Sequence, residues 1–438
     1  MKRVRILPLK GISRRMQAIV RNGQMEAARV WTLCRDLHLA ARREHTPWPG
    51  RSEFHQATKG QFALHSQTVQ QVFRAFTAAV DATRENRRAG RTEIRYPYRD
   101  KRFHPLAWPA QAMGLEQNRI VLPMGREHPS IVLPRPPWLT GKAACEIVWN
   151  GVYNELHVTL EVPDLKEEPA IGQTEIHATA DLGQIHQAAQ ATEGGAALIV
   201  SGRGIRSLKR LLSKQLGQIA RKRSRCKKGS RRWRKLQRAR ARVSLRTERR
   251  VRDLRHKGTR QVIDFCVEEA VTDLFVGNPD GVRTRRAGRH HNQRMSQWEY
   301  GRDIEYLKQK AECDRIVCFT GPERGTSSRC PECGHHRRPN GRNWRCPVCG
   351  FQGHRDIVGA VNMHPLAFGS AVAFPRRVTY LRPGPLPKRR SGSSSSLDAG
   401  QSCLVEARGI KHRSRKGPGS LREQPCPPAV RPEAHPLI

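Results

Sequence analysis

Apolar residues recur every three or four positions in two stretches of the first hundred residues. The first stretch, residues 13–44, carries Ile19, Val20, Ala27, Val30, Trp31, Cys34 and Leu37, and the second begins near Ser66 with Val69, Val72, Phe73, Phe76 and Val80. This spacing places the side chains on one face of a helix. Two prolines and a glycine within residues 46–50 cannot continue a helix, so the pattern predicts two separate amphipathic helices packed on a core.

Residues 92–165 have a different pattern, with short runs of β-branched residues separated by proline and glycine. The runs at 120–122, 130–133, 146–149 and 156–160 predict strands of a small sheet or barrel. Residues 3–9 alternate in the same way and can belong to that sheet. In that case residues 13–91 would be a helical insertion into a β domain.

The second half of the chain alternates strands with helices. Strands are predicted at residues 175–181, 184–192, 196–201, 271–276 and 315–320, with a strongly basic helical region at 205–254, a basic loop at 283–294 and a helix at 296–312. From Pro365 onward the chain is rich in proline, serine, glycine and arginine. Such a composition buries too little apolar area to offset chain entropy, so residues 365–438 are predicted to be a disordered tail.

The charge of the chain points to nucleic acid as its partner. Lysine and arginine total 81 and aspartate and glutamate 38, which gives a formal net charge of +43 over 438 residues. A polyanion relieves the self-repulsion of such a chain and gains affinity by releasing counterions. No stretch approaches the roughly 20 apolar residues of a membrane span, and the first residues lack the apolar core of a secretory signal, so we expect a cytoplasmic, nucleoid-associated protein without a membrane partner.

The densest cations lie in the basic helical region. A solvated helix face normally mixes charges of both signs, but this region carries almost only positive ones. We therefore expect direct contact with a phosphate backbone through its central residues, namely Arg221, Lys222, Arg223, Lys227, Lys228, Arg231, Arg232, Arg234 and Lys235.

Four cysteines are spaced as in a structural zinc site. Cys330 and Cys333 form one C-x-x-C pair, and Cys346 and Cys349 form a second pair 12 residues further on. Four thiolates around one ion make a closed tetrahedral site with no open position for water. Because an intracellular chain rarely builds a disulfide framework, the pattern predicts bound Zn²⁺.

Two aspartates are candidates for a catalytic metal site. Asp181 ends a predicted strand, and Asp356 follows the second cysteine pair at the start of a predicted helix. An aspartate on a strand and one on a distant helix, joined by this order of strands and helices, would suit a ribonuclease H-like site for two Mg²⁺ ions. On spacing alone either residue can equally be a helix cap or a surface residue.

Taken together, these motifs resemble TnpB, the OrfB-type protein of insertion sequences that has long been classed with the transposases and is ancestral to type V CRISPR effectors. The residues that carry the resemblance are Asp181-Leu182-Gly183, the basic helices, Arg324-Gly325-Thr326-Ser327-Ser328-Arg329-Cys330-Pro331, Cys346-Pro347 with Cys349-Gly350, and Arg355-Asp356 with Ala360 and Asn362. The resemblance covers residues 1 to about 364. It implies a RuvC-like nuclease domain, a guide RNA, and cleavage of double-stranded DNA that the RNA specifies.

One position departs from the family. The central catalytic glutamate of TnpB ordinarily ends the strand that here reads Asp273 to Val276, and position 277 is glycine. Either the protein is a nuclease-dead DNA binder, or another acidic residue supplies the ligand. Glu323 is the candidate, since it follows the next strand, and a subset of TnpB-like proteins has a similarly displaced glutamate. Asp280, Glu299 and Glu305 are less well placed, and Glu323 itself can be a surface residue paired with Arg324.

The resemblance implies an α/β fold with a small β-barrel, divided into five parts. A wedge-like β domain would comprise residues 1–12 and 92–168, a helical recognition lobe 13–91, a ribonuclease H-like RuvC domain 169–325 and 351–364, a zinc ribbon 326–350, and the tail the rest. Asp181, Glu323 and Asp356 would hold catalytic Mg²⁺. We expect an RNA-guided DNA endonuclease without a small-molecule substrate, with a nuclease-dead RNA-guided repressor and a directly acting DNA transposase as alternatives.

Overall fold

A computed structural model describes residues 2–48, 50–161, 175–279, 281–282, 288–337 and 341–384. The first part combines strand β1 (Lys2–Pro8) with helices α1 (Arg14–Glu44), α2 (Arg51–Ala57) and α3 (Ser66–Arg88). Helix α1 begins at Ser13, whose hydroxyl accepts the backbone N–H of Met16. The apolar faces predicted for α1 and α3 are buried against each other and against the strands that follow.

Those strands form two sheets on one core. They are β2 (Leu106–Trp108), β3 (Gly114–Leu115), β4 (Arg119–Leu122), β5 (Ile131–Pro134), β6 (Ala144–Trp149) and β7 (Asn154–Glu161). One sheet has the order β1-β7-β6-β2 and the other β3-β4-β5. Strand β1 pairs antiparallel with β7, so the first strand and the strands after residue 92 share a sheet across the helical insertion. Closure of the two sheets into a barrel stays a prediction.

The second part is built on a six-stranded mixed sheet. Its further strands are β8 (His177–Leu182), β9 (His186–Thr192), β10 (Ala196–Ser201), β11 (Asp273–Asn278), β12 (Val317–Pro322), the short ribbon strands β13 (Asn343–Arg345) and β14 (Gln352–His354), and β15 (Arg377–Leu381). The order in the large sheet is β12-β11-β8-β9-β10-β15. Strands β8, β9 and β10 are antiparallel, whereas β11 and β12 run parallel to β8. The sheet is thus of the mixed α/β kind, and its assignment to a ribonuclease H-like domain stays a prediction.

Helices cover both faces of this sheet, which explains why successive residues of its central strands β8, β9 and β10 are buried. The helices are α4 (Arg203–Ser224), α5 (Arg231–Glu268), α6 (Arg289–Ser296), α7 (Tyr300–Cys313) and α8 (Arg355–Phe368). Val262 and Ile263 of α5 and Leu307 of α7 lie in the core on one face. Ile357 and Val361 of α8 lie in the core on the other.

The predicted start of the disordered tail at Pro365 is wrong. Helix α8 continues through Pro365 to Phe368, and Gly369 ends it with φ 76° while its N–H donates to the Pro365 carbonyl. Strand β15 then pairs parallel with β10. Average composition hid this strand because only five residues are extended. Residues 385–438 of the predicted tail lie outside the described residues.

Two boundaries in the basic region also differ from the prediction. The predicted basic region at 205–254 is divided between α4 and α5, and α5 continues for 38 residues to Glu268, beyond the predicted end of that region. The predicted basic loop at 283–294 contains helix α6, while residues 283–287 lie outside the described part. No helix among the described residues has the length and apolar character needed to cross a membrane.

Candidate functional site

Three acidic residues meet at one edge of the six-stranded sheet. Strands β8, β11 and β12 are parallel neighbours, so their carboxyl ends lie at the same edge. Asp181 lies on β8 directly after Ala180, which pairs with Val276, and Glu323 directly follows the last residue of β12. Asp356 lies in the first turn of α8, which packs against β8. The fold therefore brings together the three candidates that the sequence separates by up to 175 positions.

The side chain of Glu323 occupies the space beside Gly277. A Cβ built on Gly277 would collide with Oε2 of Glu323 and would lie 2.8 Å from Sδ of Met363 and 3.1 Å from Cβ of Glu323. In strand pairing, Gly277 lies opposite Gly321, two residues before Glu323. The carboxylate of Glu323 thus reaches the end of β11 from the neighbouring strand, and only glycine at position 277 leaves room for it.

Asp181 faces the first turns of α8. Oδ2 of Asp181 would lie 2.6 Å from a Cβ on Gly359, so the helix approaches the carboxylate as closely as a glycine allows. The hydroxyl of Thr179 donates to the Ala360 carbonyl over 2.7 Å and fixes α8 on β8. Burial raises the pKa of Asp181 well above its usual range, and the charges of Glu323 and Asp356 raise it further. The effect of these two charges on Asp181 agrees with the positions of the three carboxyl groups at one sheet edge.

Asp356 is held as an anion. Its Oδ2 lies 2.8 Å from Nδ1 of His186 on β9 and also accepts a hydrogen bond from Arg342, which directly precedes β13. Burial opposes ionisation, but the hydrogen bond with His186 and the positive charge of Arg342 outweigh it and lower the pKa of Asp356. Its place in the first turn of α8 is also the favourable end of the helix dipole for a negative charge.

Glu323 has the opposite electrostatic character. Burial raises the pKa of Glu323 to about 7. Its Oε2 is buried and has no hydrogen-bond partner among the described residues. An unsatisfied carboxylate oxygen beside a second carboxyl group of raised pKa is costly unless a cation neutralises both. These oxygens fit Mg²⁺, which prefers hard oxygen ligands.

Two of the other acidic candidates, Glu299 and Glu305, have partners of their own away from this site. Glu299 accepts hydrogen bonds from Lys209 and Arg255, each at 2.9 Å. Although burial opposes its charge, these two cations lower the pKa of Glu299 to about 2. Glu305 lies on α7, where it accepts a hydrogen bond from Gln309 over 3.3 Å. Asp280 lies outside the described residues.

The four cysteines converge as a metal site requires. Sγ of Cys330 is 3.6 Å from Sγ of Cys349, and Sγ of Cys333 is 3.5 Å from Sγ of Cys346. Sulfurs bound at 2.3 Å to one tetrahedral Zn²⁺ would be about 3.8 Å apart. Burial opposes the thiolate of Cys346, but backbone N–H groups of Cys349 and Val348 outweigh it and lower its pKa to about 6. The cluster therefore fits a structural zinc ion.

The cysteine ribbon is tied to the carboxylate site through α8. Nδ2 of Asn362 donates to the carbonyls of Thr326 and Arg329, at 2.7 and 2.8 Å. The indole N–H of the buried Trp344 donates to the Ser327 carbonyl over 3.2 Å. The predicted ribbon, residues 326–350, begins three residues after Glu323 and ends six residues before Asp356, so its geometry affects two of the three carboxylates.

The basic region forms a hairpin of two packed helices, α4 and the first half of α5. Arg223 donates to Oε1 of Gln237 across this hairpin over 2.5 Å. Arg223 is half-buried, and the other eight of the nine cations proposed to bind nucleic acid are exposed. The hairpin tip therefore presents a dense positive surface to solvent.

Sequence reasoning missed His186 and His354. Nδ1 of His354 accepts the N–H of Asp356 over 3.3 Å and thereby caps α8. The two imidazole rings lie with centroids 5.0 Å apart. Their positions, five residues after Asp181 and two before Asp356, are the only signal in the sequence. Such proximity does not distinguish a site residue from an ordinary surface histidine.

Fold and site together define a class of protein in which a mixed α/β sheet domain carries an inserted four-cysteine ribbon and a basic helical hairpin. Comparison with known families agrees with this class. Residues 157–283 match the OrfB_IS605 family, described as a probable transposase, and residues 300–363 match the Cas12f1-like TNB domain. The resemblance to TnpB and OrfB-type proteins is confirmed by these two segments. A search for curated relatives finds no match.

Solved structures support the same fold. The chain is similar to Cas12f1 in its complex with sgRNA and target DNA, with a TM-score of 0.57 and 12% identity over 80% of this chain and 83% of that one. The mini-RNA-guided endonuclease CRISPR-Cas_phi3 is also similar, with a TM-score of 0.44 and 11% identity over 86% of this chain and 94% of that one. The first of these shows a shared fold, and the second is too distant to carry an argument.

Proposed function

We propose that this protein is an RNA-guided, Mg²⁺-dependent DNA endonuclease of the TnpB type. The observation that carries the proposal is the side chain of Glu323, which fills the place beside Gly277 and lies with Asp181 and Asp356 at one sheet edge. A protein that had lost nuclease activity would have no need to keep an unsatisfied buried carboxylate there. The OrfB-type match and the fold shared with Cas12f1 support the same function.

Asp181, Glu323 and Asp356 would hold the catalytic Mg²⁺. Bound Mg²⁺ ions supply an activated water and stabilise the negative charge that develops on the leaving oxygen. The chain itself fixes the ligands: β8 and the end of β12 provide two rigid positions, and His186 and Arg342 orient Asp356. Because the pKa of Glu323 is about 7, Mg²⁺ would bind best above that pH, where no proton competes for the carboxylate.

The exposed cations of the α4–α5 hairpin would hold nucleic acid. Phosphate contacts position a protein but do not read sequence. Specificity would therefore come from pairing between a guide RNA and the DNA target, with the protein holding the heteroduplex by its backbone and shape. We expect the purified protein to carry a structured RNA and to bind its DNA target through it.

The test moves the carboxylate back to β11. Glu323→Ala should abolish Mg²⁺-dependent cutting of a matched duplex, because it removes one ligand of the metal site. Gly277→Glu alone should also be impaired, since its side chain collides with Glu323. The double variant should recover cleavage, because the alanine at position 323 leaves space for the glutamate introduced at position 277, and the flexible Met363 can adjust. Guided DNA binding should survive in all three proteins.

The outcomes separate the alternatives. Full activity in Glu323→Ala would refute the relocated ligand. A wild-type protein that binds its guided target without cutting would favour the repressor. If RNA-free protein bound a defined duplex as tightly as the RNA complex at physiological salt, the guided model would be wrong and a directly acting transposase would be favoured.

A further inference from the structure

Two histidines lie beside Asp356 and add nitrogen donors to the oxygen donors of the three-carboxylate site. His186 comes from β9 and His354 from the position directly before α8. One ligand atom from each histidine and one from Asp356 all lie within 4.8 Å of one another. Neither Asp181 nor Glu323 belongs to this group of mixed nitrogen and oxygen donors.

The spacing of the closest pair is that of two ligands on one ion. Two ligands bound at about 2.1 Å and at right angles are about 3.0 Å apart. Nδ1 of His186 and Oδ2 of Asp356 are 2.8 Å apart. The side chains of His186 and Asp356 are only 11% and 15% exposed, and both lie on regular secondary structure. The donors are therefore held in place by the fold.

We propose that His186, His354 and Asp356 form a site for a first-row divalent transition cation in the series from Mn²⁺ to Zn²⁺. Two imidazole nitrogens with one carboxylate favour such a cation, whereas Mg²⁺ prefers oxygen ligands and keeps its waters. The proposal rests on the proposed function in one respect, because that function makes Asp356 a metal ligand in cleavage. Its test measures binding and does not require cleavage.

Three existing contacts would be exchanged for the cation, and the first is the hydrogen bond between Nδ1 of His186 and Oδ2 of Asp356. Arg342 contacts Oδ2 of Asp356, and its side chain is 40% exposed, so packing does not hold it there. The bond from the N–H of Asp356 to His354 is long, at 3.3 Å, and is correspondingly weak. Because the guanidinium repels a cation, Arg342→Ala should raise the affinity of the site. Loss of either histidine should lower it.

The experiment titrates Mn²⁺ into the full-length, zinc-loaded protein in the presence of excess Mg²⁺. Electron paramagnetic resonance measures bound Mn²⁺, and spin-echo modulation from ¹⁴N reports imidazole coordination. A Glu323→Ala background weakens Mn²⁺ binding at the carboxylate site. We expect ¹⁴N modulation, and a loss of at least about tenfold in Mn²⁺ affinity for His186→Ala and for His354→Ala.

His177→Ala is the matched control. His177 also pairs with a carboxylate, Glu193, at 3.0 Å, but it lies at the other end of β8. This variant should leave both the affinity and the modulation unchanged. Mn²⁺ that binds without ¹⁴N modulation, or with modulation that His186→Ala does not reduce, would overturn the proposal. An intact ¹⁴N signal in a wild-type protein that never cuts DNA would overturn the proposed function alone.

Discussion

Glu323→Gln should stabilise the RNA-free protein at alkaline pH, although the same change should abolish cleavage. The substitution keeps the shape of the side chain and removes its charge. The folded protein holds the pKa of Glu323 at about 7, against an ordinary value of 4.5. Because this acid has a raised pKa when folded, wild-type stability falls as the pH rises from 4.5 through 7. The glutamine variant does not lose this stability.

The magnitude follows from the linkage between pKa and folding. Each unit of pKa difference corresponds to about 1.4 kcal/mol, so the ionised glutamate destabilises the folded state by at most about 3 kcal/mol above pH 7. Near pH 4.5 the carboxyl is protonated in the folded state, and the two proteins should differ little. Across this pH range the difference in unfolding free energy should therefore grow to that limit.

Hydrogen exchange of peptides from β8 and β11 measures the relevant stability, because these strands adjoin the carboxylate site. Glu299→Gln is the matched control, because removal of this charge should change the stability at neutral pH in the opposite direction. The pKa of Glu299 is lowered to about 2 by Lys209 and Arg255, so its charge stabilises the fold at neutral pH and its loss should destabilise α7. Added Mg²⁺ should stabilise wild type more than Glu323→Gln. A pH-independent difference between these two proteins would refute the reasoning.

Three further outcomes test other parts of the structure. Cys333→Ser should release Zn²⁺, which elemental analysis measures. Because zinc binding and ribbon folding are coupled, this variant should also cleave less DNA, and full cleavage by the zinc-free variant would contradict the prediction. Gly359→Ala should reduce cleavage but leave RNA binding intact, since the new Cβ would lie 2.6 Å from Oδ2 of Asp181. Gly301→Ala is the control, because no atom lies within 4 Å of a Cβ at that position. The double variant Arg231→Glu, Lys235→Glu should weaken nucleic-acid binding. The slope of the logarithm of the binding constant against the logarithm of salt concentration should become shallower by up to about 0.9 per lost phosphate contact, and an unchanged slope would argue against contact with the phosphate backbone.

Local chemistry made much of the fold predictable. Val69, Val72 and Phe76 recur at helical spacing and are buried on α3. Two C-x-x-C pairs needed only their spacing to predict the ribbon, because four thiolates have few other uses in a reducing compartment. Strand β15 was missed because it is held by backbone pairing with β10, and amino-acid composition gives no information about backbone pairing.

The site was less predictable, since its members are joined only by tertiary structure. Asp181 and Asp356 could be proposed from their places at element ends, but Glu323 needed the further knowledge that β11 and β12 are parallel neighbours. The only signal of His186 was its position five residues after Asp181, which does not distinguish it from an ordinary histidine. It becomes a site residue only because β9 lies beside β8 and faces the first turn of α8, a relation between positions 170 residues apart.

If Glu323 is the metal ligand proposed above, the pair of Gly277 and Glu323 shows why a missing residue is weak evidence for a lost activity. A metal site needs a ligand oxygen at a particular position. A residue after β12, a parallel strand about 4.8 Å from β11, can place an oxygen there as well as a residue on β11 itself. The position of Glu323 restricts the residue at position 277 on β11, because any side chain there would collide with the Glu323 carboxylate. Glycine at the expected position and glutamate after the next strand are therefore two halves of one arrangement. A glycine there without a buried, unpartnered carboxylate beside it would instead be the mark of a nuclease-dead relative.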